Sequence, residues 1–152
     1  MMEERFIIFS LNAEEFGLAI TTVREIVQPQ KIAKLPQSSP LIKGVISLRK
    51  EIIPIIDLQK RFFGIPTENS TTTRIIILGF VDYSVGILVD QVTEVLSLSP
   101  AQITTLPPFV QLQVENCGLW GIGRLEGRLL MLLDLRQVFS STEENLLREA
   151  GN

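Results

Sequence analysis

Residues 44–62 read GVISLRKEIIPIIDLQKRF. Two apolar runs meet across the polar turn Arg49, Lys50 and Glu51, and the second ends at Asp57 before a short amphipathic tail. That pattern predicts a β-hairpin followed by one or two helical turns. Residues 121–139, GIGRLEGRLLMLLDLRQVF, repeat it 77 positions later, matching Gly44 with Gly121, Leu48 with Leu125, Asp57 with Asp134 and Phe62 with Phe139. One structural unit is used twice.

Working outward, the residues before each hairpin also correspond. Arg5–Leu11, rich in β-branched and aromatic residues, turns at Asn12–Glu15 into a second apolar run, Phe16–Ile20; this reads as a hairpin. The segment VREIV, 23–27, is too short for periodicity to separate a strand from a helical turn. Arg74–Phe80 restarts the pattern 69 residues after Arg5, and Gly17, Val23 and Glu25 recur as Gly86, Val92 and Glu94. Leu35-Pro36 recurs as Leu106-Pro107, at an offset of 71, so the residues that extend it to 77 lie within Pro108–Gly118 and predict a surface loop. Gly64–Thr73, polar and opening with Gly and Pro, is the best linker in the chain.

The expected organisation is a single domain over 1–152 built from two halves, 5–66 and 74–139, with a C-terminal helix at 141–150. Each half offers about five short strands, a unit too small to be stable alone, and closing it into a barrel removes most exposed edges. The fold class is therefore mainly β, two small barrels sharing a core. Pro54 predicts an edge or a bulge in its strand. Asp57 and Asp134 are placed to cap a helical first turn. Ser141 and Glu144 stand at capping-box spacing.

Composition narrows the chemistry. The net charge of -3 argues against a phosphate-backbone binder, so nucleic acid is not an expected partner. No apolar stretch approaches a bilayer span and the first residues lack the pattern of a secretory signal, so a cytoplasmic protein without membrane insertion is expected. One cysteine, Cys117, excludes an internal disulfide, and the absence of histidine removes the commonest general base and transition-metal ligand. No cofactor or metal is expected. Asp57, Asp90 and Asp134 lack a second ligand at metal spacing and read as caps and turns. The run Gly121–Gly127 has the spacing GxGxxxG and opens no helix, so it is a hairpin and not a phosphate loop. Ser70–Thr73 reads as solvated linker, and Trp120 as a barrel residue.

The segments V23-R-E-I-V, L35-P36, G44-V-I-S-L-R, I52-I-P-I-I-D-L and V85-G-I-L-V-D-Q-V, in that order and followed by the second hairpin, resemble the CheW family of chemotaxis coupling proteins. The resemblance covers nearly the whole chain. It implies two five-stranded SH3-like β-barrels packed together, and a cytoplasmic adaptor without catalysis that joins chemoreceptor tips to the regulatory domain of a CheA-type histidine kinase, recruited to membrane-associated receptor arrays. It also implies a receptor-binding groove between the barrels, carried over to Val23, Glu25, Gly44, Ile46, Arg49, Val89 and Val92. A helix laid in an apolar trough with charges at its rim is the recognition mode such a groove serves. Arg49 and Glu25 are then an ion pair at the groove edge; read without the resemblance, they are a solvated hairpin tip and an unrelated carboxylate. The family commonly has Gly after the turn arginine, where this chain has Lys50; a positive φ there would cost lysine on the order of 1 kcal/mol. A paralogous array serving twitching, gliding or another chemosensory pathway is the alternative setting.

Overall fold

The computed structural model describes residues 3–36, 40–113 and 117–150. The first half supplies strands β1 (Glu4–Leu11), β2 (Glu14–Ala19), β3 (Val23–Val27), β4 (Gly44–Leu48) and β5 (Glu51–Asp57), then helix α1 (Leu58–Phe63). The second supplies β6 (Arg74–Gly79), β7 (Ser84–Val89), β8 (Gln91–Leu98), β9 (Ile103–Thr105), helix α2 (Pro108–Gln113), β10 (Leu119–Leu125) and β11 (Arg128–Leu133). Helix α3 (Ser141–Ala150) follows. VREIV is thus a strand.

Strand pairing crosses the sequence halves. One sheet runs β3-β6-β7-β5-β4 and the other β8-β1-β2-β11-β10-β9. The β6–β7 hairpin therefore completes a first barrel with β3, β4 and β5, while β1–β2 joins the second with β8 to β11. The joints are two equivalent parallel ladders, Ile55 beside Gly86 and Leu132 beside Gly17. An expectation of one barrel per half, 5–66 and 74–139, is corrected by this exchange. Repeat register shows which segments are alike; it does not show which copy a hairpin pairs with.

Each barrel closes through one bent segment that serves both sheet edges. In the second, β8 turns at residues 100–102 into the three-residue β9, which pairs with β10 and makes a sixth strand. In the first, the chain beyond β3 reaches β4 through Ala33, which exchanges two backbone hydrogen bonds of 2.9 Å with Val45. That exchange explains Pro54. Val45 spends its N–H and C=O on Ala33, so its opposition to Pro54 is a pair without hydrogen bonds. Strand β5 is interior and unbulged against β4, and its ladder with β7 starts one residue after the proline. In the second copy Met131 does pair, with Phe16.

In the central strands β1 and β6, side-chain alternation sends one face into the barrel and the other into a core shared by both. Ile75 and Ile77 fill the first barrel while Ile76 and Leu78 enter the shared core. Phe6 and Ile8 fill the second barrel while Phe9 and Leu11 enter the shared core. Burial on both faces is why these strands read as unbroken apolar runs. Asp57 caps α1, accepting from the Lys60 N–H at 3.2 Å, and also holds the Thr67 N–H and hydroxyl at 2.8 Å each. Gly64–Thr73 is an exposed linker pinned at two points: Thr67 and Thr73 are buried, and the Thr73 hydroxyl accepts from the Ser70 N–H at 2.8 Å. The capping box of α3 lies one residue earlier than expected, with Ser140 Oγ accepting from the Glu143 N–H and Glu143 Oε1 from the Ser140 N–H. Glu143 also forms a two-pronged pair with Arg61, which docks α3 on α1 with Leu147 buried beneath.

Candidate protein-docking site

Two matching bulges shape the candidate surface. The register of β3 against β6 skips between Val23 and Glu25, and that of β8 against β1 skips between Val92 and Glu94. An extra residue in a strand re-aims the side chains beside it. Val23 and Val92 consequently rest, half-buried, against the shared core, while Val27, past the bulge, packs into the first barrel.

Glu25 stands just beyond the first bulge. Arg49 at the β4–β5 tip reaches it with both prongs, Nη1 donating to Oε2 at 2.5 Å and Nη2 to Oε1 at 2.8 Å. The pair's hydrogen bonds hold the Glu25 carboxyl below its ordinary range and raise the Arg49 guanidinium. Arg49 remains 67% exposed and Glu25 19%, so the cation stands out while the carboxylate anchors it. Arg24 extends the network: its Nη1 donates to Glu51 Oε1 at 2.9 Å and to Ser84 Oγ at 3.0 Å. Edge strand, hairpin tip and the exchanged β7 are thus joined by one set of side chains. Sequence reading missed Arg24, Glu51 and Ser84, which converge only because β7 crosses to the first barrel.

The tip itself is unusual. Arg49 and Lys50 both take positive φ, at 50° and 70°, whereas the matching turn places Gly127 at 67°. A two-residue loop between antiparallel strands favours this left-handed pair because its twist matches theirs. Lysine accepts the strained conformation and leaves two cations at an exposed corner.

The remaining three candidates are buried. Ile46 is 2% exposed and points into the first barrel, because it alternates with the outward Val45 and Ser47 along β4. Val89 is fully buried in the shared core. Gly44 has no room for a side chain: a Cβ there would lie 2.4 Å from the Ala33 carbonyl oxygen. The resemblance marks the strands that carry these three residues, but not which of their side chains reach the surface.

Next to Val23, a groove of about 460 Å³ is lined by Thr21, Thr22, Phe80, Tyr83, Arg136 and Arg148 among others. It joins the β6–β7 tip of the first barrel to α3 and the turn after β11. Arg148 lies over the Tyr83 ring at 5.1 Å and donates to Asp82 at 2.7 Å. Among the described residues no cluster of three metal-ligating side chains occurs, and no helix is long and apolar enough to cross a membrane.

Two SH3-like barrels that exchange hairpins, with a charged tip on the first and a groove between its β6–β7 tip and helix α3, define a class of small, mainly β domain. The CheW-like domain model matches residues 5–143. The chain is 39% identical over 145 residues to the chemotaxis protein CheW of Klebsiella aerogenes, spanning 95% of this chain and 86% of that one. It is 35% identical to the chemotaxis protein CheW of Bacillus subtilis, spanning 89% and 86%. The crystal structure of the scaffolding protein TtCheW from Thermoanaerobacter tengcongensis superposes with a TM-score of 0.81 at 32% identity, over 94% of this chain and 92% of that one. The chain belongs to the CheW family.

Proposed function

We propose that this protein is a non-catalytic cytoplasmic adaptor that couples chemoreceptors to a CheA-type histidine kinase within membrane-associated arrays. The observation that carries the reading is a family match spanning both barrels and the seam between them. The receptor's helical tip lies along the groove beside Val23, with Arg49 and Glu25 setting its register at the rim. Val92 offers the matching apolar step on the other barrel. A separate surface holds the kinase regulatory domain, so the adaptor raises the local concentration of kinase at the receptor. No chemistry is performed.

The test is a pull-down from lysate of the protein's own organism, comparing the native chain with Arg49→Glu. The native chain recovers a histidine kinase and chemoreceptors; the variant, whose circular dichroism matches the native, retains the kinase and loses the receptors. Equal receptor recovery by both would remove Arg49 from the interface. Recovery of motility proteins of another array in place of chemoreceptors would assign the chain to a paralogous pathway.

A further inference from the structure

A second cleft, of about 770 Å³, opens away from the Arg49 corner, between the connection leading to β4, helix α1 and the start of α3. Its charge distribution is unlike the rest of the molecule. The protein is acidic, with 17 carboxylate side chains against 14 cations, yet three of its five lysines, Lys34, Lys43 and Lys60, line this one cleft. The two carboxylates in the lining are already committed: Asp57 to Thr67 and the Lys60 N–H, and Glu143 to Arg61 and the Ser140 N–H. None of the three ammonium groups has a hydrogen bond or ion pair with a described residue. Six arginines, by contrast, are held in ion pairs at Arg24, Arg49, Arg61, Arg128, Arg136 and Arg148. The arginines bind the fold together and these lysines are left facing solvent.

The floor between them is apolar, formed by Pro40, Leu41 and Pro66 over the buried Ile42. A site for a bare inorganic anion is ringed by polar donors; an apolar floor under a cationic rim fits a segment that carries apolar and acidic side chains together. We propose that this cleft is a docking surface for an acidic, amphipathic segment of a partner protein, distinct from the Arg49 corner and independent of the receptor reading. Electrostatic attraction at the rim would speed encounter, and the floor would retain the segment.

The experiment titrates the full chain, labelled with nitrogen-15, with a synthetic amphipathic peptide of glutamate and leucine. Its lysine–leucine counterpart and inorganic tripolyphosphate are run alongside. The proposal expects the acidic peptide to shift the amides of residues 34, 41–43, 60 and 61. It expects the affinity to fall at least about tenfold in the triple variant Lys34→Glu, Lys43→Glu, Lys60→Glu, and to weaken as salt is raised. Lys31→Glu, outside the cleft, should change little. All three lysines are exposed, and an unchanged amide spectrum in the regions remote from the cleft verifies that the variant folds. Tripolyphosphate binding without peptide binding would overturn the proposal in favour of a small-anion site. Equal binding of both peptides, shifts scattered over the surface, or affinity unaffected by the triple variant would overturn it outright.

Discussion

The two barrels share a plan and differ at their corners. In the first, Glu25 of the edge strand pairs with Arg49 at the hairpin tip; in the second, the equivalent Glu94 pairs with Arg128, at the position matching Glu51, and Arg128 also clasps Glu15 at 2.7 Å. Two carboxylates around one cation satisfy it, and their hydrogen bonds raise its pKa. Arg128 is 33% exposed and Arg49 67%. The same duplicated corner is closed on itself in one barrel and presented to solvent in the other. A two-residue displacement of the arginine separates a cation clasped by two carboxylates from one held by a single carboxylate and left mostly in solvent.

That contrast can be broken most severely at the barrel seams. Gly44→Ala would drive a Cβ to 2.4 Å from the Ala33 carbonyl, where the equivalent Gly121→Ala meets the Thr104 carbonyl at 3.3 Å. Gly44→Ala is expected to destabilise by about 2–3 kcal/mol and Gly121→Ala by about 1 kcal/mol or less, read from urea unfolding. Equal losses would show that both seams relax alike. Next in size, Arg128→Glu sets a third carboxylate beside Glu15 and Glu94 and should lower Tm by several degrees. Arg49→Glu should leave Tm unchanged while weakening receptor capture. If both variants lower Tm equally, the Arg49 corner is a fastening too.

Smaller still is the exchange of turn residues. Lys50→Gly should stabilise by about 0.5–1 kcal/mol, since glycine takes the positive φ without the Cβ penalty but adds freedom to the unfolded chain. Gly127→Lys should do the reverse. No change in either would mean that the tips relax at no cost. The smallest effect concerns the clasp between α1 and α3. Hydrogen bonding from Arg61 lowers the Glu143 carboxyl below 4.5, although partial burial opposes it. A depressed carboxyl stabilises the fold above its ordinary pKa, and the contribution is lost as pH falls through the depressed value. Carbon-13 titration should place Glu143 below 4.5 in the native chain and nearer 4.5 in Arg61→Met, with α3 loosening at higher pH in the variant. An unmoved midpoint would assign the shift to Ser140 instead.

Much of the architecture was legible because duplication made it so. Gly44 against Gly121 and Asp57 against Asp134 mark equivalent strands and helix caps without any alignment to other chains. The hairpin exchange was not legible, because a pairing between Ile55 and Gly86 leaves no local trace that differs from a pairing within one half. Pro54 misled for a related reason: whether a missing N–H matters depends on which strand lies opposite, and Ala33 had already taken Val45. At the candidate site, Glu25 and Arg49 came from the family resemblance, because nothing local in the sequence joins a carboxylate on one strand to a hairpin tip 24 residues away. Ile46 and Val89 also came from the resemblance, which marks their strands but not their depth: Ile46 faces the first barrel and Val89 the shared core. The cationic cleft escaped notice because Lys34, Lys43 and Lys60 are dispersed in sequence and meet only once α1 has folded back.

The exchanged hairpins also set a timetable for synthesis. As the chain leaves the ribosome, β1 and β2 emerge first, yet the neighbour that β2 needs, β11, is among the last strands made. The first barrel must likewise wait for β6 and β7. Neither half can settle alone, so the nascent protein stays uncommitted until nearly all of it is out, and folding then proceeds through long-range contacts that are slow to form. A cell expressing a truncated copy should therefore obtain no half-working adaptor. It should obtain unfolded polypeptide for its proteases to remove.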